Sequence, residues 1–367
     1  MKERLISLDA FRGITIAGMI LVNNPGSWSY VYGPLSHAKW HGWTPTDLIF
    51  PFFLFIIGVA MSFSLFQPIE DATARKKLYL KIVRRALIIY GLGLFMAAYP
   101  KFNLSTLRLV GVLPRIAICY LVASLITLNT SIRGQAGVAI GLLILYWGLM
   151  KLVLVPGFGA GDLSVDGNFA AYIDSHLLHG HMWKANWDPE GLLSTIPAIA
   201  TTLLGVLTGH LLHSRLDKKD IAGWMFIVGW VAILVGLFWD IVFPINKSLW
   251  TSSYVVFTAG AALQLLGFCY WLIDVKGHTK WARFAVIYGM NSITVFFLSG
   301  MLVRSMIWIK IAGPDGKSIT LYTWIYRNLF ASWAGAMNGS LAFAIANVLF
   351  WFGMMAILYR KRIFIKI

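Results

Sequence analysis

Pro45-Thr46-Asp47-Leu48-Ile49-Phe50-Pro51-Phe52-Phe53-Leu54-Phe55-Ile56-Ile57-Gly58-Val59-Ala60-Met61-Ser62-Phe63-Ser64-Leu65-Phe66 carries one charge near its head, Asp47, and only two hydroxyls after it. About 20 apolar residues in a helix match the thickness of a bilayer's hydrocarbon. The segment therefore predicts a membrane-crossing helix. Nine further stretches read the same way: Leu5–Asn24, Ile82–Tyr99, Leu109–Leu128, Ala136–Val155, Gly191–Leu212, Ile221–Phe243, Thr251–Ile273, Phe284–Trp308 and Met337–Tyr359. Together they predict an all-α polytopic membrane protein of about ten transmembrane helices. The composition agrees. The chain has 367 residues, 58% apolar and 13% charged, and a mean hydropathy of +0.72. A soluble domain carries about 25% charge, so a disordered chain and an ordinary cytosolic enzyme are excluded. No internal repeat, linker or low-complexity tract divides residues 1–367, which read as one transmembrane domain.

The net charge of +16 would suggest nucleic acid in a soluble protein. So apolar a chain cannot present a hydrated basic groove, and no nucleic-acid partner is expected. The bases sort along the chain instead. Nineteen of the 31 Lys and Arg fall at the N-terminus, in the even-numbered connections and at the C-terminus, from Lys2 and Arg4 through Arg75–Arg85 to Arg360–Lys366. Eight fall in the odd-numbered connections: Lys39, Lys101, Arg108, Lys184, Lys247, Lys310, Lys317 and Arg327. The positive-inside rule puts both termini in the cytoplasm. Asp9 and Arg12 interrupt any signal-peptide core, so no cleaved leader is expected. Four bases remain in or at the ends of spans: Arg12, Arg115, Lys151 and Arg304. Charge at mid-span costs about 2.5–3.5 kcal/mol even on lenient scales. Lys151 and Arg304 sit where they can snorkel to the interface. Arg12 and Arg115 call for a polar interior. Asp9 and Arg12 are three apart on one helix face, so an internal ion pair that fixes packing explains them as well as a binding role does.

Polar chemistry gathers on the side opposite the basic loops. The first long connection contains Val22-Asn23-Asn24-Pro25 and then Ser36-His37-Ala38-Lys39-Trp40-His41-Gly42-Trp43-Thr44. The third outer connection holds His176, His179, His181, Trp187, Asp188 and Glu190; the fourth holds Asn246-Lys247-Ser248-Leu249-Trp250. Eight of the 16 Trp lie in outer loops, Trp324 and Trp333 of the last one included. An interfacial belt explains Trp at both membrane faces. A set weighted to one face also suits sugar rings, which stack on flat aromatics. Asn23 and Asn24 can cap a helix C-terminus ahead of Pro25. His37 and His41 have i,i+4 spacing, but no third ligand follows at suitable distance, so no metal is expected. Cys119 and Cys269 lie inside apolar runs and read as buried side chains. No Walker A or GxSxG sequence is present. A histidine beside a carboxylate is the usual general base, and Asp47 is the carboxylate near His37.

The motifs Ser7-Leu8-Asp9-Ala10-Phe11-Arg12-Gly13, Val22-Asn23, His37-Ala38-Lys39-Trp40-His41-Gly42, Asp47-Leu48-Ile49-Phe50-Pro51, Asp188-Pro189-Glu190-Gly191, Ile245-Asn246-Lys247-Ser248-Leu249-Trp250, Gly289-Met290-Asn291-Ser292 and Tyr359-Arg360-Lys361-Arg362-Ile363-Phe364 stand in order. This series resembles the heparan-alpha-glucosaminide N-acetyltransferase family and its bacterial relatives over nearly the whole chain. The block from Asn23 to Pro51 is the specific part. By this resemblance the chain begins at the second span of the lysosomal enzyme and lacks its luminal N-terminal domain.

The resemblance implies an acyltransferase. It takes acetyl-CoA from the cytoplasm, as co-substrate, and delivers the acetyl group to the amine of a glucosamine-type sugar or glycan end on the other side. It places the active-site histidine at His37 and its paired asparagine at Asn23. Asp47 is expected to orient His37. Arg12, Arg115 and Asn291 are the expected partners of CoA, and Trp40, His41, Trp187, Asp188, Asn246, Lys247 and Trp250 those of the sugar. A bacterial inner membrane, membrane lipid contacts and a homodimer follow by the same resemblance. An amino-sugar transporter without chemistry is the alternative for the same aromatic face.

Overall fold

The computed structural model describes residues 5–67, 71–313 and 317–365; Lys2, Arg4 and Lys366 of the basic set lie outside them. The described chain is helical almost throughout: α1 (Ile6–Asn23), α2 (Ile49–Leu65), α3 (Ala72–Ala98), α4 (Val112–Asn129), α5 (Ile132–Leu152), α6 (Phe169–Leu177), α7 (Thr195–Leu212), α8 (Lys218–Asp240), α9 (Ser252–Tyr270), α10 (Arg283–Met290), α11 (Ser292–Trp308), α12 (Leu321–Tyr326) and α13 (Ser332–Arg360). Two small antiparallel ribbons interrupt it, β1 (Leu154–Val155) with β2 (Gly159–Ala160) and β3 (Lys310–Ala312) with β4 (Ser318–Thr320). The protein is an all-α polytopic membrane protein.

Among the described residues eight helical segments are long and apolar enough to cross a membrane, and a bent pair makes up to nine. Two of the ten expected stretches look different from their sequence reading. Ile82–Tyr99 is the second part of α3, which begins nearly three turns earlier. Asp71 caps it by accepting from the Ala74 N–H at 2.6 Å. Lys and Arg are good helix formers, so Arg75 to Arg85 belong to the helix and not to a connection. Phe284–Trp308 is not one helix. It breaks at Asn291 into α10 and α11, bent by 77°. The Asn291 amide is engaged by the C-terminal segment, donating to Ile363 O at 3.1 Å and accepting from Ile365 N at 2.9 Å.

Backbone contact sets the bundle. α2 lies along α7, α8 along α9, and α1 along α10. Glycine permits the closest approaches: a Cβ on Gly58 would stand 2.0 Å from Thr202 O, and one on Gly205 would stand 2.1 Å from Phe55 O. In hydrocarbon such small-residue contacts replace the hydrophobic drive between helices. The buried core joins Ile16, Phe53, Leu54, Ile116, Leu203, Tyr254 and Val255 from five helices. The outward row of α8 stays bare, with Trp224, Ile227, Trp230, Leu234 and Phe238 exposed as lipid-facing residues should be. α1 ends with the Asn24 amide donating to Ile20 O at 2.8 Å, the cap expected before Pro25. The end of the bundle where α1 stops and α2, α4, α7 and α9 start carries the long polar connections.

Candidate active site

Three segments meet at that end. The first is the 36–48 loop, whose tail is the 3₁₀ turn Pro45–Leu48. Thr44 N–H donates to Asp47 Oδ2 at 3.1 Å and Ala38 N–H to the same oxygen at 3.0 Å. The first contact is the carboxylate half of a capping box; both fix the side chain against its own loop. The Tyr254 hydroxyl from α9 donates to the Asp47 backbone carbonyl. Asp47 is thereby buried, with 1% of its side chain exposed, while its free oxygen faces His37.

His37 Nδ1 lies 2.6 Å from Asp47 Oδ1, and 42% of the His37 side chain is open to solvent. An ionised carboxylate only accepts, so Nδ1 carries the hydrogen, and in the neutral ring the lone pair is on Nε2. Lys247, from the α8–α9 connection, closes the group: its Nζ is 3.0 Å from His37 Nδ1, 3.2 Å from Nε2 and 3.6 Å from Asp47 Oδ1. Burial draws the Lys247 ammonium below the usual lysine range, against the pull of Asp47 and Glu190.

The α8–α9 connection is itself tightly determined. Asn246 is fully buried; its Oδ1 accepts from Leu249 N at 2.9 Å and its Nδ2 meets His41 Nδ1 at 3.3 Å. Trp250 adopts a left-handed φ of +54°, a conformation that costs a non-glycine residue about 1–2 kcal/mol. It is 1% exposed, its indole N–H donates to Thr201 Oγ1 at 3.1 Å, and its ring covers the Arg115 guanidinium at 5.0 Å. Trp250 is therefore a core residue and offers no face to a sugar, contrary to the sequence expectation.

The third segment, between α6 and α7, is an ion-pair clamp. Arg108 Nε donates to Asp188 Oδ2 at 2.8 Å, and Nη2 reaches both Asp188 Oδ1 and Glu190. Trp183 N–H and Glu190 N–H also donate to Asp188, at 2.7 and 2.9 Å. The hydrogen bonds that Arg108 donates to Asp188, with the charge of Glu190, outweigh burial and raise the Arg108 pKa. Asp188 has no lone pair left for a sugar, so it too is structural. Next to it, burial pushes the Asp174 carboxyl up to about 6, although it accepts from Leu192 N at 2.9 Å.

The remaining candidates separate into groups. Trp40 and Trp187 stand edge to face at 5.4 Å, with the Trp40 indole N–H donating to Leu163 O at 2.8 Å. They give the site an aromatic flank. Asn23 ends α1 and is exposed, and among the described residues no side-chain hydrogen bond joins it to His37. Arg115 is fully buried at this same end, in the first turn of α4, donating to Gly191 O at 3.1 Å and to Ser194 Oγ. Arg12 and Asn291 stand toward the opposite end. Arg12 pairs with Asp9 at 3.1 Å and approaches the carbonyl of Gly289, two residues before Asn291. The three expected CoA partners are thus divided between the two ends of the bundle. No group of three His, Cys, Asp or Glu suited to a metal occurs among the described residues. Arg108, Thr44, Tyr254 and Asp174 escaped the sequence reading. The Thr-Pro-Thr-Asp spacing of a capping box was the one available signal, for Thr44.

A bundle of apolar helices with a histidine–carboxylate pair at one aromatic-edged end defines a polytopic membrane protein. Comparison with known proteins gives the family. The model of the heparan-alpha-glucosaminide N-acetyltransferase catalytic region matches residues 4–236. The human heparan-alpha-glucosaminide N-acetyltransferase is 30% identical over 430 aligned positions, which take in 100% of this chain and 60% of the human protein. The mouse protein of that name is 30% identical over 352, covering 80% of this chain and 53% of its own length. The chain belongs to the heparan-alpha-glucosaminide N-acetyltransferase family. It spans little more than half the length of these relatives.

Proposed function

We propose that this protein transfers the acetyl group of acetyl-CoA to the amine of a glucosamine-type sugar, with His37 as general base. The His37–Asp47 contact of 2.6 Å inside the family-matched region carries the reading. Asp47 keeps the hydrogen on Nδ1 and so presents Nε2 as the basic atom. The sugar amine attacks the acetyl carbonyl carbon. The N–C bond forms, the C–S bond breaks, and the amine proton passes to His37 Nε2 and then to the departing sulfur. A positioned base of this kind is worth about 10²–10⁴ in rate. Lys247 lies beside both ring nitrogens of His37 at rest, and the acceptor amine takes its place at Nε2. Asn23, on the flank of the same loop, is assigned to the developing oxyanion, and Trp40 and Trp187 to the sugar ring.

The donor enters from the cytoplasmic face of a bacterial inner membrane, where the basic loops lie, and the acceptor from the opposite face. Arg12 and Asn291 suit the phosphate end of CoA. Arg115, buried at the His37 end, suits the reacting end. We also assign the protein to a homodimer. Purified protein in lipid, given acetyl-CoA and glucosamine, should release CoA and form N-acetylglucosamine. Uptake of labelled glucosamine into proteoliposomes without acetyl-CoA, and no CoA release, would favour the transporter and overturn this reading.

A further inference from the structure

Asn246 and Lys247 are consecutive, and each holds one histidine of the 37–41 loop. The two rings are in opposite states. The orientation of the buried Asn246 amide is set by Leu249 N–H on Oδ1, which leaves Nδ2 to donate to His41 Nδ1. Nδ1 of His41 is then the acceptor, and the ring hydrogen sits on Nε2. In His37 the hydrogen sits on Nδ1, held by Asp47, and Nε2 is the acceptor. The two loops are pinned beside this pair by Gly42 N–H donating to Ile245 O at 2.7 Å. Asn246 therefore fixes the tautomer of His41, and Asp47 that of His37, side by side at this junction.

The charged group that acts on His41 is Asp240, at the end of α8. Burial outweighs the field of Asp240 and lowers the His41 pKa, which keeps the ring neutral. His41 is exposed, and its ring adjoins Trp40 at 6.2 Å, within the aromatic flank. A neutral imidazole with Nε2–H toward solvent donates and cannot accept there. It is no second base.

We propose that His41 is a fixed hydrogen-bond donor to an oxygen of the acceptor sugar, and that Asn246 is the positioning residue that keeps its hydrogen on Nε2. The acceptor's identity rests on the function proposed above; the tautomers do not. Nitrogen-15 NMR of histidine-labelled protein in lipid tests the tautomers, with His37→Gln and His41→Gln assigning the signals. His41 should be protonated on Nε2 and His37 on Nδ1. Asn246→Asp keeps the Leu249 contact but offers only an acceptor to His41, and should move the His41 hydrogen to Nδ1 or produce the imidazolium. The same tautomer in both rings, or an unmoved His41 signal in Asn246→Asp, overturns the inference.

Glucosamine binding, read by tryptophan fluorescence without acetyl-CoA, tests the role. His41→Phe should weaken it about tenfold, the scale of one lost hydrogen bond. His41→Gln, whose amide can donate from the same place, should stay within about threefold. Unchanged binding in His41→Phe overturns the acceptor role. Wild-type binding with no acetyl transfer would remove His37 as base and leave this inference standing.

Discussion

Asp47 and Asp188 stand at the same end of the bundle, and both are buried with two backbone N–H groups on their carboxylates. They differ in the third partner. Asp188 faces the bidentate guanidinium of Arg108, which never gives up its proton. Asp47 faces His37 and Lys247, both of which can. The same backbone device thus makes a clamp in one segment and holds a pair of titratable partners in the other. A buried carboxylate in a loop does not by itself indicate chemistry; the titratability of what it holds does.

Substitutions can break this contrast. Asp188→Ala leaves Arg108 half-buried with only Glu190, and should cost about 3 kcal/mol of stability; a thermal melt of the purified protein reads it. A variant as stable as wild type would show that the clamp is decorative. Asp47→Asn should act mainly on rate. It keeps an acceptor for the backbone but can present its NH₂ to His37 and favour the wrong tautomer, so turnover should fall about 100-fold, or about 2.7 kcal/mol. Full activity in Asp47→Asn would put it in the same class as Asp188.

Asp174 sharpens the comparison from a third side, because its buried carboxyl has no dedicated cation. Its folded pKa is raised to about 6 from 3.8. The folded state therefore holds the proton more tightly than the unfolded chain. The stability from that proton is present below about pH 4 and lost as the pH rises through 6. Asp174→Asn should then raise the melting temperature at pH 7.5 and not at pH 4, by an amount on the order of 2 kcal/mol. Equal effects at both pH values would contradict the shift. Lys247 gives the smallest effect. Its folded pKa is lowered, so the folded state releases that proton first and wild type should gain stability as the pH rises through the alkaline range toward the free-lysine value. Lys247→Met should lack this gain.

Much of the architecture was legible because hydrocarbon demands long apolar runs, and α1, α2, α7 and α9 follow theirs closely. The break at Asn291 was not, since both halves are apolar and a hydrogen bond to the C-terminal segment, far away in sequence, engages the residue at the bend. At the site, the nearness of His37 and Asp47 was readable because they share one loop. The use of Asp188 and Trp250 was not. Their type suits a surface that binds sugar, and only the partners Arg108 and Arg115, brought in from the start of α4 and the loop before it, show that they are consumed inside the protein.

The central claim is that His37 supplies the base for acetyl transfer. Its side chain is 42% exposed and supports little packing, so His37→Ala should fold and melt like wild type. CoA release from acetyl-CoA in the presence of glucosamine, followed in purified wild type and His37→Ala side by side, is the most direct test. The account predicts sugar-dependent release in wild type and a loss of about 10²–10⁴-fold in the variant. Wild-type turnover in a folded His37→Ala protein would contradict it.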